Sequence, residues 1–308
     1  MILALVQVVG GLILLIFAGD ALVKGAVNLA LRLGISALVV SLTVVAFGTS
    51  APELLVSVDA VLSGAPGLAL GNVVGSNTAN VLLVLGVPAL ISGLATKTHD
   101  TRRDYAFMLA GTALFCGLAL TGVIGGWNGI VMLAALAAIL VVTFLMSKGT
   151  EPDEVEGADD AVKGWAIAAY LVAGLVGLPL GAGFLVEGST YVAKTFGLSD
   201  AVIGLTLVAI GTSLPELATT VMAAIRRHAD VALGNVIGSN LFNLLAIMGI
   251  ASLVGPIPTA EVLSLDLWVM VGASLLMIPF VFRMSDINRA WGVALTGAYV
   301  GYLALVLA

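Results

Sequence analysis

The chain is written twice. Residues Gly34 to Gly86 align without a gap on Gly197 to Gly249, at an offset of 163 residues and with about half of the positions identical. Gly48-Thr49-Ser50-Ala51-Pro52-Glu53 returns as Gly211-Thr212-Ser213-Leu214-Pro215-Glu216, and Gly71-Asn72-Val73-Val74-Gly75-Ser76-Asn77 returns as Gly234-Asn235-Val236-Ile237-Gly238-Ser239-Asn240. A duplication of this size requires two copies of one architecture, packed against each other.

Apolar runs fall at 2–30, 36–62, 67–93, 104–124, 127–147, 164–194, 201–225, 230–254, 263–282 and 289–307, separated by polar or Gly/Pro punctuation. Each is near the roughly 20 residues that a membrane-crossing helix needs. Only 10% of the 308 residues are charged and 60% are hydrophobic, whereas a soluble domain carries about 25% charge. A soluble enzyme is thereby excluded. The expected fold is an all-α membrane protein of ten transmembrane helices. It divides into a first five-helix repeat (1–147), an acidic linker (148–163) and a second five-helix repeat (164–308). Five is odd, so the second copy crosses the bilayer in the opposite sense, an inverted repeat that points to alternating-access transport with a site near the midplane.

Ten of the twelve lysines and arginines fall in or beside one set of connections if both termini are extracytoplasmic, as the bias of basic residues toward the cytoplasm requires. That places the chain as a multi-pass protein of the cell (inner) membrane with a cytoplasmic linker. The linker region from Lys148 to Gly164 holds six carboxylates without the acid–Gly–Glu order of a calcium loop. Met1 to Gly19 lacks the basic start and small-residue cleavage pattern of a secretory signal and reads as a retained first span. Cys116, alone in the chain, forms no intramolecular disulfide and reads as packing.

Glu53 and Glu216 fall in the middle of apolar spans, where a bare charge costs a few kcal/mol or more. Pro52 and Pro215 lack an N–H and crowd the carbonyl four residues back, so each helix is expected to break near Gly48 and Gly211 and to free carbonyl oxygens. Freed carbonyls at membrane depth need protein, water or an ion. Asn72, Ser76 and Asn80 recur every four residues on one helical face, and Asn235, Ser239 and Asn243 repeat that face. Glycines 71, 75, 234 and 238 form small stripes that allow close backbone approach. The two copies together offer carboxylates, carbonyls, hydroxyls and amide oxygens, with neither His nor Cys. Such a set suits hard cations, and Ca²⁺ and Na⁺ above all.

At these residues the sequence resembles the cation/Ca²⁺ exchanger superfamily and, within it, the prokaryotic Na⁺/Ca²⁺ exchangers, over nearly the whole chain. The resemblance implies that Glu53 and Glu216 bridge a central Ca²⁺ with the backbone oxygens of Thr49 and Thr212. It implies that the Ala46 and Ala209 carbonyls, with Ser50, Ser76, Ser213 and Ser239, complete flanking Na⁺ sites, and that Asn80 and Asn243 line the centre. Many prokaryotic and potassium-dependent relatives carry Asp where this chain has Asn243, which bears on proton coupling, potassium dependence and stoichiometry.

The expected activity is therefore secondary-active antiport of Na⁺ against Ca²⁺, with both ions as substrates. The lipid bilayer is the surroundings; no cofactor, enzymatic step or nucleic-acid partner is expected, and the functional unit is a monomer. The first and sixth spans, free of site-type residues, are the elements that would slide or rock. H⁺/Ca²⁺ or K⁺-dependent exchange on the same fold, and a cation channel, are the rival readings. Asp20 and Lys24 lie four apart and read as an internal pair. Asp59, about 9 Å along the helix from Glu53, reads as an exposed helix-end acid, and His99 and His228 as residues of the basic connections.

Overall fold

The computed structural model describes residues 1–147, 162–196, 209–259 and 265–307. Nearly all of the acidic linker and the start of the expected seventh span lie outside these ranges.

Helices follow in the expected order: α1 (Ile2–Leu33), α2 (Ala37–Thr49), α3 (Ala51–Leu62), α4 (Pro66–Ile91), α5 (Arg102–Ala119), α6 (Gly126–Ser147), α7 (Gly164–Thr195), α8 (Ala209–Thr212), α9 (Leu214–Ile225), α10 (Ala229–Val254), α11 (Leu265–Val281) and α12 (Arg289–Leu307). Among the described residues, α1, α4, α6, α7 and α10 are each long and apolar enough to cross a membrane, and α2 with α3 makes a sixth span bent by 43°. The remaining passes are shorter or interrupted. α1 stops where Gly34 takes a left-handed φ of 65° and returns its N–H to the carbonyls of Ala30 and Leu31, the usual way a helix satisfies its last carbonyls.

Burial separates two populations of span. In α1, α6 and α7 only 22–28% of the most apolar window is buried, against 72% in α4 and 89% in α10. The first group faces lipid and the second is the interior of the bundle. Along one flank α1 and α7 run against each other through glycines. A Cβ on Gly11 would stand 2.7 Å from the Gly181 carbonyl oxygen, one on Gly174 2.5 Å from Leu22, and one on Gly188 2.6 Å from the Ala4 oxygen. Approach this close excludes a side chain at each of these three glycines.

The two ends of the bundle are tied differently. At one end β1 (Val123–Ile124) pairs antiparallel with β2 (Ile257–Pro258), joining the α5–α6 and α10–α11 connections. At the other, Leu94 and Ile287 exchange backbone hydrogen bonds of 2.9 and 3.1 Å, and the Arg289 and Arg283 side chains donate to the Ile91 and His99 carbonyls. The basic connections before α5 and before α12 thus meet at one end. Asp20 pairs with Lys24 at 2.9 Å, as their spacing suggests, and also with Arg226 at the end of α9, which the spacing did not reveal. His228 is buried at the start of α10 rather than projecting from its connection, whereas Asp59 is exposed.

Candidate functional site

The breaks fall at Ser50 and Ser213, two residues beyond Gly48 and Gly211. Ser50 has φ −83° and ψ 6°, Ser213 φ −85° and ψ 3°. The physics is that of proline: its ring crowds the carbonyl four residues back, so the chain turns just before it. Pro52 and Pro215 then occupy the first turn of α3 and α9, where no N–H is required. Each glutamate follows its proline immediately, so it too sits in the first turn of the new helix. The positive end of the helix dipole there favours a carboxylate.

Both carboxylates are buried, each about 1% exposed. The Ser50 hydroxyl donates to Glu216 Oε1 at 2.9 Å, across the two repeats, and Ser239 approaches the same oxygen at 3.5 Å. Thr212 reaches back to Glu53, and Thr49 lies against Glu216. The broken helix of each repeat therefore hydrogen-bonds the acid of the other. Among the described residues Glu53 Oε2, Glu216 Oε2, Ser213 Oγ, Asn80 Oδ1 and both side-chain polar atoms of Asn243 are buried with no hydrogen-bond partner. All of these except one amide nitrogen are oxygens, and buried polar atoms are seldom left unpaired without a functional reason.

α4 and α10 form the walls. Asn72 Nδ2 donates to the Glu53 carbonyl at 3.3 Å and to Ser57 Oγ at 3.0 Å. Asn235 Nδ2 does the same to the Glu216 carbonyl at 3.4 Å and to Thr220 Oγ1 at 3.1 Å. These paired clamps fasten each wall to the helix that carries the acid. The four-residue spacing puts Asn72 and Asn235 on the polar face without marking them as clamps; their identity at the 163-residue offset is the available signal. The expected close approach holds for the second wall only: a Cβ on Gly234 would lie 2.7 Å from the Leu38 oxygen and one on Gly238 would run into the Leu42 carbonyl, whereas Gly71 and Gly75 have open space beside them. Past the walls' serines the helices widen. Phe242–Ile247 is a π-helical stretch containing Asn243, and the Val84 N–H reaches back five residues to the Ala79 oxygen around Asn80. Such widened turns recur at functional sites.

Of the residues singled out from the sequence, Thr49, Ser50, Glu53, Ser76, Asn80, Ser213, Glu216, Ser239 and Asn243 are all buried. Thr212 is half-buried. The Ala46 carbonyl accepts the Ser50 N–H at 3.0 Å and lies 3.3 Å from the Thr49 hydroxyl. Ala209 opens α8, and its side chain lies outside the described residues.

A family model described as sodium/calcium exchanger protein matches residues 3–145 and again 166–308. The chain belongs to the sodium/calcium exchanger family. Its double match to that family spans one repeat each time and leaves 146–165 between them. A sodium/calcium exchanger of Methanosarcina acetivorans is 34% identical over 96% of both chains, and a putative antiporter of Alkalimonas amylolytica is 35% identical over 99% of both. Among solved structures, the sodium-calcium exchanger NCX_Mj soaked with Na⁺ and Ca²⁺ superposes with a TM-score of 0.82 at 33% identity, covering 99% of this chain and 98% of that one. This exchanger-family chain accordingly has ten membrane helices in two inverted five-helix repeats. It is a multi-pass membrane protein of a transporter family.

Proposed function

We propose that the chain exchanges Na⁺ for Ca²⁺ by alternating access at one shared midplane site. The observation that carries this reading is the pair of buried carboxylates, each hydrogen-bonded by the broken helix of the opposite repeat and each left with an unpaired oxygen. Two carboxylates balance one Ca²⁺ or two Na⁺, so competition for one set of ligands couples the two fluxes. In this reading Glu53 and Glu216 bridge Ca²⁺ with the Thr49 and Thr212 carbonyls. Ser50, Ser76, Ser213, Ser239 and the Ala46 and Ala209 carbonyls take flanking Na⁺, and Asn80 and Asn243 line the centre. Ca²⁺ accepts six to eight oxygens in irregular cages, which suits a cage built from two helix breaks.

The relatives named as exchangers support the substrates. The meeting of these two basic connections at one end of the bundle supports extracytoplasmic termini, with residues 148–163 as a cytoplasmic linker between repeats 1–147 and 164–308. The glycine seam supports α1 and α7 moving as a pair past the walls, in a chain working as a monomer in the inner membrane. Neither a cofactor nor an enzymatic step enters the cycle.

Radioactive Ca²⁺ uptake into proteoliposomes tests the reading. An outward Na⁺ gradient is expected to drive uptake that an outward proton gradient does not. Uptake driven by protons and indifferent to Na⁺ makes the protein an H⁺/Ca²⁺ exchanger, and gradient-independent flux makes it a channel.

A further inference from the structure

An amide side chain carries an oxygen on one arm and an N–H₂ group on the other, so an asparagine serves a cation only if something decides which arm faces it. For Asn80 the structure contains a decider. Met108 of α5, fully buried, places its sulfur 3.7 Å from Asn240 Nδ2. A thioether has lone pairs and no proton, so it accepts hydrogen bonds and never donates. Asn240 turned the other way would set its carbonyl oxygen against that sulfur with no proton between them. With its nitrogen toward Met108, Asn240 presents Oδ1 to Asn80 Nδ2 at 3.1 Å. Asn80 is then left with its own Oδ1 buried and without a donor among the described residues. The Asn77 side chain steadies the same spot by donating to the Asn240 main-chain oxygen at 3.3 Å.

We infer that Met108 and Asn240 are positioning residues that hold the Asn80 amide as an oxygen donor to Ca²⁺ through a one-way relay of hydrogen bonds. The inference rests on the proposed function, since it concerns how that cage is kept oxygen-lined. The opposite side has no such relay among the described residues. Asn77 Oδ1, the repeat counterpart of the acceptor on Asn240, meets no donor, and both arms of Asn243 are unpaired. One central asparagine is oriented before the ion arrives, and the other turns to meet it.

Equilibrium Ca²⁺ binding to the purified protein tests this, with Na⁺ absent so that the coupling ion does not enter. Met108→Leu keeps the volume and removes the acceptor. It is expected to weaken Ca²⁺ binding about two- to tenfold, because the oxygen-out orientation of Asn80 becomes one of two populated states. The melting temperature in detergent stays at the wild-type value. In an Asn80→Ala background, where there is no amide to orient, adding Met108→Leu is expected to cause no further shift. Unchanged affinity in Met108→Leu overturns the inference, as does the same shift persisting with Ala at position 80, which marks a packing effect. Wild-type protein that binds no Ca²⁺ overturns the functional reading together with this one. Wild-type protein that binds Ca²⁺ but shows no coupling between the two substitutions overturns the relay alone.

Discussion

The two halves of the molecule carry the same polar residues in the same order and yet treat their carboxylates differently. The clamps are matched: Asn72 on the Glu53 carbonyl and Ser57, Asn235 on the Glu216 carbonyl and Thr220. The serine contacts to the carboxylates are not. Ser50 donates to Glu216, whereas its counterpart Ser213 has no partner among the described residues. Asn235 is fully buried and Asn72 half-buried. Duplication has preserved the backbone scaffold that fixes where each acid stands, and left the side chains at the centre free to differ. A single cation between two equivalent acids needs the first kind of equality and not the second.

Substitutions separate these two levels. The largest effect is expected at the acids. Glu53→Gln and Glu216→Gln each remove half of the charge balancing Ca²⁺, and each should lower exchange by about a hundredfold or more. Wild-type Ca²⁺ flux in either variant breaks the equivalence of the halves. Asn243→Asp comes next, placing a third ionisable group beside the two acids. Ca²⁺ uptake in that variant is expected to depend more steeply on pH than in the parent, and an unchanged pH profile shows that position 243 does not meet the ion.

The serines then test the asymmetry itself. Ser50→Ala removes a hydrogen bond to a buried carboxylate and should weaken Ca²⁺ binding about tenfold, from a bond of roughly 1.5 kcal/mol. Ser213→Ala should change it less than about threefold, since no bond to Glu53 is lost. Equal effects would mean that the difference between the halves vanishes when the ion binds. The clamps are expected to act on stability rather than on ion binding: Asn72→Ala and Asn235→Ala should each cost about 1–3 kcal/mol by stranding buried polar groups. Thermal melts in detergent compare the two.

Much of this was legible in the sequence because the governing rules are local. Pro52 and Pro215 announce the breaks, a spacing of four puts Asn72, Ser76 and Asn80 on one face, and the repeat doubles every signal. Within the stretch Gly48 to Ser50 that is open to irregular geometry, the bend falls at Ser50, where the chain avoids the proline ring, and not at Gly48, where glycine makes bending easiest. The ten apolar runs are visible in the sequence, whereas among the described residues five helices are individually long and apolar enough to span on their own, and α2 with α3 makes a bent sixth. Contacts between distant spans were not legible at all. Nothing in the residues around Asp20 marks Arg226 as its partner, and Met108 reads as one more apolar residue until its sulfur is seen facing an amide.

The seam between α1 and α7 also bears on how such a chain is allowed to evolve. Every glycine along it faces backbone or a close side chain, so adding even one methyl group at Gly11, Gly174 or Gly188 pushes two helices apart. The outward faces of the same helices, with Leu3, Leu12, Phe17, Leu180 and Phe184 exposed, can exchange one apolar residue for another at little cost. A lineage carrying this fold would drift freely on the lipid side of these two helices and hardly at all on the other. Sequence divergence plotted around the helix circumference would then trace the surface that joins the two helices without any ion being measured.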